Sequence, residues 1–164
     1  MNRTHAADAQ PGTEYAAAPP ARAAGTLGIL AGIGLIVLGL AAWITVSLQL
    51  REEKITVPDD AMAFQGKTVA GPLTAFAQAA IIQHHALGLS GGKTYAELDR
   101  DDPVRVTLMD ASFLRASLFT SVVSFGVAAF AMGVGALSVV FGWGLRRAAT
   151  PTTVVVTRPL FSRG

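Results

Sequence analysis

Two long stretches of the chain are apolar and free of charge, one between Arg22 and Arg51 and one between Arg115 and Arg146. A helix needs about 20 apolar residues to cross a hydrocarbon core about 30 Å thick, so each stretch can span with room for tilt. The buried helices of a soluble bundle seldom run this far without a charge. The pattern predicts an all-α membrane protein: a two-helix transmembrane hairpin with a mostly helical extracytoplasmic loop. The second span is expected to extend into a long helix above the membrane. The expected divisions are a disordered tail over residues 1–24, a first span over 25–48, an outer loop over 49–115, a second span over 116–145 and a basic tail over 146–164. The first apolar run exceeds the about 7–15 residues of a signal-peptide core and reads as an uncleaved anchor.

The loop has its own punctuation. Ile55-Thr56-Val57 is a short β-like run stopped by the turn signal Pro58-Asp59-Asp60. Gly71-Pro72 opens a helix expected to reach about Leu87, with Leu73, Phe76, Ala80, His84 and Leu87 on one side. Thr94 and Glu97 have the spacing of a capping box, which predicts a short helix over 95–100. Asp102-Pro103 reads as N-cap and first helical residue. No breaker follows before Leu145, so one helix of about 43 residues and roughly 65 Å is expected. A loop of about 65 residues without disulfides is a thin basis for an independent core. Its apolar residues, Phe64 and Met109 among them, need cover; the projecting helix is expected to be one wall and a second subunit or a larger partner the other.

Charge sets the orientation. The tails carry Arg3, Arg22, Arg146, Arg147, Arg158 and Arg163 against Asp8 and Glu14, whereas acidic residues outnumber basic ones between Arg51 and Arg115. The positive-inside rule then places both termini in the cytoplasm. The β-prone run over 152–157 has no partner strand in the sequence and is expected to be loose or to pair only with another protein. The formal net charge of +2 gives no reason to expect nucleic acid.

Small residues recur along the second span at Ser117, Ser121, Ser124, Ala128, Ala131, Gly135, Ser138 and Gly142, alternating steps of four and three. That 3.5-residue period is the seam of a left-handed helix pair. The first span carries a looser stripe of Gly25, Gly28, Gly32, Leu35, Gly39, Ala42 and Val46. Lipid does not drive helices together by hydrophobicity; close backbone approach does, and small residues permit it. The helix-packing positions expected from these stripes include Gly28, Gly32, Gly39, Ser121, Ser124, Ala128, Ala131, Gly135, Ser138 and Gly142. They would face each other or neighbouring subunits.

Catalytic chemistry has little foothold. The chain has no cysteine. Gly92-Lys93-Thr94 resembles the end of a phosphate-binding loop, but the required earlier glycine is replaced by Leu87. His84-His85 are adjacent, and neighbours on a helix point about 100° apart, a poor geometry for sharing a metal. No cofactor and no metal site is expected. The spans lack any ionisable residue, which argues against proton-coupled transport. Phe76, His84, His85, Tyr95 and Phe113 are the candidate partner-docking residues.

Four loop motifs point to a family. Glu53-Lys54-Ile55-Thr56-Val57-Pro58-Asp59-Asp60, Gly71-Pro72-Leu73-Thr74-Ala75-Phe76-Ala77-Gln78-Ala79, Ser90-Gly91-Gly92-Lys93-Thr94-Tyr95-Ala96-Glu97-Leu98 and Ala111-Ser112-Phe113-Leu114-Arg115-Ala116-Ser117-Leu118-Phe119-Thr120 resemble small actinobacterial two-pass membrane proteins labelled "aromatic ring-opening dioxygenase LigA". The resemblance spans roughly residues 25–145 and implies an actinobacterial plasma membrane and two spans; it carries no catalytic residues. The expected function is that of a non-enzymatic accessory or scaffold subunit of the cell envelope. Its partners would be the lipid bilayer and either further copies or a larger membrane complex. The alternatives are a homo-oligomeric small channel with Ser117, Ser121 and Ser124 facing water, and a metal-dependent enzyme as the family label suggests.

Overall fold

The computed structural model describes residues 19–149. The β-prone run over 152–157 and most of both tails lie outside them. The described chain is helical, with α1 over Pro19–Glu52, α2 over Pro72–Leu89 and α3 over Arg105–Ala148. Two of these, α1 and α3, are long and apolar enough to cross a membrane.

Helix α1 begins at Pro19, so residues 19–24, expected to belong to a disordered tail, are helical. Proline is tolerated in a first turn, where its missing N–H has no partner to lose, and the alanines that follow are strong helix formers. The helix ends where Lys54 takes a left-handed φ of 52° and its N–H bonds the Arg51 carbonyl at 3.1 Å.

Helices α1 and α3 run antiparallel in a fixed register. Gly25 lies against Gly142, Gly32 against Gly135 and Gly39 against Ala128, so each seven-residue step up one helix matches a seven-residue step down the other. The approach is close enough to exclude a methyl group. A Cβ on Gly32 would lie 2.5 Å from the Gly135 carbonyl oxygen, and one on Gly135 would lie 2.6 Å from that of Gly32. In each glycine the hydrogen in the Cβ position therefore points at the opposite carbonyl, the arrangement of a weak Cα–H···O contact.

The seam differs from two facing stripes of small residues. Each glycine is a hole that receives a larger side chain from the other helix. Val139 enters at Gly32 and Met132 at Gly39, while Ile36 enters at Gly135 and Ile29 at Gly142. Small and large positions thus alternate along both helices, as knobs-into-holes packing requires. Gly28 touches Gly142 and Ser138 only at ordinary van der Waals separation. Ser124 and Ala131 border an apolar crevice beside the seam, and Ser117 is exposed. The most enclosed residue of the stretch is Phe125, 1% exposed, with its ring edge-on to Trp43 at 4.7 Å. This aromatic pair sits just past Gly39, where the small residues give out.

At the tail end, Arg22 Nε donates to the Ala149 carbonyl at 3.0 Å. A cation there satisfies an orphan carbonyl and favours the negative end of the α3 dipole. At the other end the helices carry a head made of α2, a short ribbon and a tight turn. Ile55–Val57 pairs with 67–69 through a single antiparallel bridge between Thr56 and Thr68. Val57 donates to Lys67 at 3.0 Å and Val69 to Ile55 at 2.9 Å. Val57, Val69, Ala75 and Ala79 form one core with Leu50, Leu118 and Phe125, so the head is continuous with the helix pair.

Helix α2 is capped without a side chain at Gly71; the Thr74 hydroxyl instead accepts the Ala70 and Gly71 N–H groups at 3.1 and 3.2 Å. It ends in Gly91 and Gly92, both at positive φ. Its buried residues are Ala75, Gln78, Ala79, Ile81 and Ala86. The side expected from Leu73, Phe76, Ala80 and His84 is the outward one. Ala75, Ala79 and Ala86 let α2 lie close on α3, while Leu73 and His84 stand on the exposed face. The helix expected over 95–100 is a single 3₁₀ turn, Tyr95–Glu97. Leu98 turns extended and its side chain is buried beside Ala86 and Leu108, which stops the helix. Regular helix resumes at Arg105, slightly after the expected Pro103; Asp102 Oδ1 still accepts the Val104 N–H at 2.8 Å.

Substituting Gly32→Ala is expected to destabilise the helix pair by about 1–3 kcal/mol through overpacking. Gly133→Ala, where a Cβ meets open space, should be neutral or stabilising by up to about 1 kcal/mol. Equilibrium unfolding of the two variants in detergent micelles checks the contrast.

Candidate functional site in the head

The head contains an apolar groove of about 350 Å³ between α2 and the segment that follows the ribbon's first strand. Leu73, Phe76, Ala80 and His84 form the α2 wall, and Asp60, Met62 and Phe64 the other. Phe64 holds its place through a left-handed φ of 63°, with Gly66 next at 68°. Gln65 folds back to donate to the Ala61 carbonyl at 2.5 Å. The two walls are tied by one side-chain bond, His85 Nε2 to Asp60 Oδ2 at 2.6 Å.

The groove has a direction. Phe76 packs edge-on to Phe119 of α3 at 5.9 Å, while Ala86 packs on Leu108, so α2 runs antiparallel to α3. Leu73 and Phe76 therefore mark the end nearest the charge-free stretch of α3, and His84 and Asp60 the far end. Met62 is 97% exposed, and Leu73 and Phe76 are more than half exposed.

The expected docking residues are divided by this arrangement. Phe76 and His84 share the groove, and His85 lies at its rim on Asp60. Tyr95 belongs elsewhere: the Arg105 guanidinium covers its ring at 4.1 Å and donates to the Tyr95 and Leu98 carbonyls at 3.1 and 2.6 Å. Phe113 stands exposed on α3, outside both buried clusters. The His84 and His85 rings are 6.2 Å apart and tilted by 53°, and among the described residues no three His, Asp or Glu side chains converge as metal ligands. The Ser121, Ser124 and Thr120 hydroxyls donate to the carbonyls of Ser117, Thr120 and Ala116 on their own helix.

Asp60, Met62 and Phe64 escaped sequence reasoning as site residues. Their only signal was a short apolar run, 61–64, following a turn, and nothing in the sequence linked Asp60 to His85.

The family models, the curated proteins and the solved structures contain no match to this chain.

Two carboxylates in the head are held in their charged form. The His85 hydrogen bond lowers the Asp60 carboxyl below its ordinary 3.8. The Thr94 N–H, and then its hydroxyl, lower Glu97 below its ordinary 4.5. Each bond stabilises the head fully above those ordinary values, and its contribution is lost as pH falls through the lowered ones. Carbon-detected NMR titration should place the Asp60 midpoint below 3.8, and His85→Ala should return it towards that value.

Proposed function

We propose that this chain is a two-pass integral membrane protein of the actinobacterial plasma membrane with both termini in the cytoplasm. Its outer head would dock a partner, in the manner of a non-enzymatic accessory or scaffold subunit. One observation carries the membrane reading. The register that sets Gly25 on Gly142 also brings Arg22 to within one residue of the level of Arg146, and Arg51 to within one residue of the level of Arg115. The charge-free stretches of the two helices therefore begin and end at the same heights. The separation of the two arginine tiers along α1 is about 43 Å. A bilayer is about 40–45 Å thick including its headgroups, around a hydrocarbon core of about 30 Å. Arginines so placed lie among headgroups on both sides.

The distribution of large side chains supports the same reading. In the most apolar stretch of each helix only 11% and 17% of the residues are buried. Leu38 and Phe130 are 68% and 73% exposed, pointing away from a seam built on glycine. A soluble pair would bury its large apolar residues and leave the small ones outside; this order is reversed. Trp143, beneath the Arg147 guanidinium at 4.2 Å, suits an interfacial position at the tail end.

Docking is supported by what the head leaves uncovered. Above the Arg115 tier, Val106 and Phe113, seven residues apart on α3, and Leu114 stay exposed, as does Leu89 of α2. Large apolar side chains left uncovered on a head of this size support an interaction surface.

Because the chain lacks cysteine, single-cysteine variants report topology directly. Thr94→Cys should react with a membrane-impermeant maleimide in intact cells, and Ala148→Cys only after permeabilisation. The opposite pattern overturns the orientation, and release of the protein from membranes by alkaline carbonate overturns the membrane reading. Native mass spectrometry after gentle extraction tests docking: an assembly that Phe113→Asp weakens is expected, and a strictly monomeric, partner-free species counts against the role.

A further inference from the structure

The geometry points to the head groove as a seat for one acyl chain of an outer-leaflet phospholipid. The inference rests on the membrane reading above and adds a ligand to it. The groove's lower end is fixed by the contact of Phe76 on Phe119, one helical turn to the membrane side of Arg115. Arg115 closes the charge-free stretch of α3, so the lower mouth opens at the level where phospholipid chains begin.

Polarity along the groove follows the polarity of a lipid standing in its leaflet. Leu73 and Phe76 line the membrane end, Ala80 and Ile81 the middle, and His84 and Asp60 the end away from the bilayer. From Leu73 to His84 the helix rises about 16 Å, the scale of a chain segment plus the start of a headgroup. The volume of about 350 Å³ lies within the range of small-molecule sites, about 300–1,000 Å³. A lipid raised slightly from the leaflet would keep its chain against Leu73 and Phe76 and set its polar head beside His84. Water in the same groove would wet Met62, Leu73 and Phe76, all more than half exposed. Replacing that water by hydrocarbon is favourable, at about 25 cal/mol per Å². The other wall is held across the chain by the Asp60–His85 bond, so the slot is formed before a chain enters.

The test uses the full chain reconstituted in vesicles of phosphatidylcholine doped with a phospholipid bearing a mid-chain diazirine. After illumination, labelled peptides are mapped by mass spectrometry. Label is expected on the α2 segment over 72–84 as well as on α1 and α3. Ala80→Trp fills an exposed position in the groove wall, and Leu73→Asp puts a charge at its mouth. Each should cut the α2 label about tenfold, the equivalent of about 1.4 kcal/mol, with the span label unchanged. Unchanged span label shows that the variants still fold. Label on the spans with none on α2 overturns the groove proposal and leaves the membrane reading standing. Equal α2 label in wild type and Ala80→Trp also overturns it, because the head would then merely rest on the lipid surface. Absence of label on the spans themselves is the failure of the membrane reading.

Discussion

Reciprocal contact between glycine and carbonyl across the α1–α3 seam is the constraint on which the rest of the structure depends. At Gly32 and Gly135 a methyl group does not fit between the backbones, so the two helices touch there through their main chains. Dispersion falls steeply with distance, and so close an approach strengthens it. The same contact sets the register. A slide by one residue would drive a β-branched or aromatic side chain into the opposing backbone, and holes and knobs would coincide again only after seven.

Everything above the seam inherits that register. Past Gly39 the Trp43–Phe125 pair takes over, and rings need more room than glycines, so the apolar crevice bordered by Ser124 and Ala131 opens beside them. Leu50 and Leu118 then join the core of the head. The head is thereby anchored to the helix pair by burial rather than tethered by a loop. This explains how a small domain without disulfides keeps a defined shape: its core borrows side chains from two long helices that are already ordered.

The groove follows from the same economy of space. Alanines on α2 let it sit close against α3, and their neighbours Leu73, Phe76 and His84 are left on the outer face. The segment carrying Met62 and Phe64 comes back over that face because the ribbon returns the chain at Thr68 and because Asp60 finds His85. An apolar channel with one polar end is what remains where α2 turns its alanines Ala75 and Ala79 to the core.

The helices were legible in the residues alone, since uncharged runs of this length have few other solutions, and so were the breaks around them, since Gly71-Pro72 and Gly91-Gly92 act through local backbone geometry. It also displayed the seven-residue interval shared by Gly25, Gly32 and Gly39, and by Ala128, Gly135 and Gly142. Which neighbours of those positions enter the seam is fixed by the packing of one helix on the other. Val139 enters at Gly32 and Met132 at Gly39, because a hole on one helix has meaning only opposite a knob on the other. The outward turn of Phe76 and the meeting of Asp60 with His85 were decided in the same way. Both depend on contacts between segments far apart in the chain, and periodicity within a single segment carries no record of them.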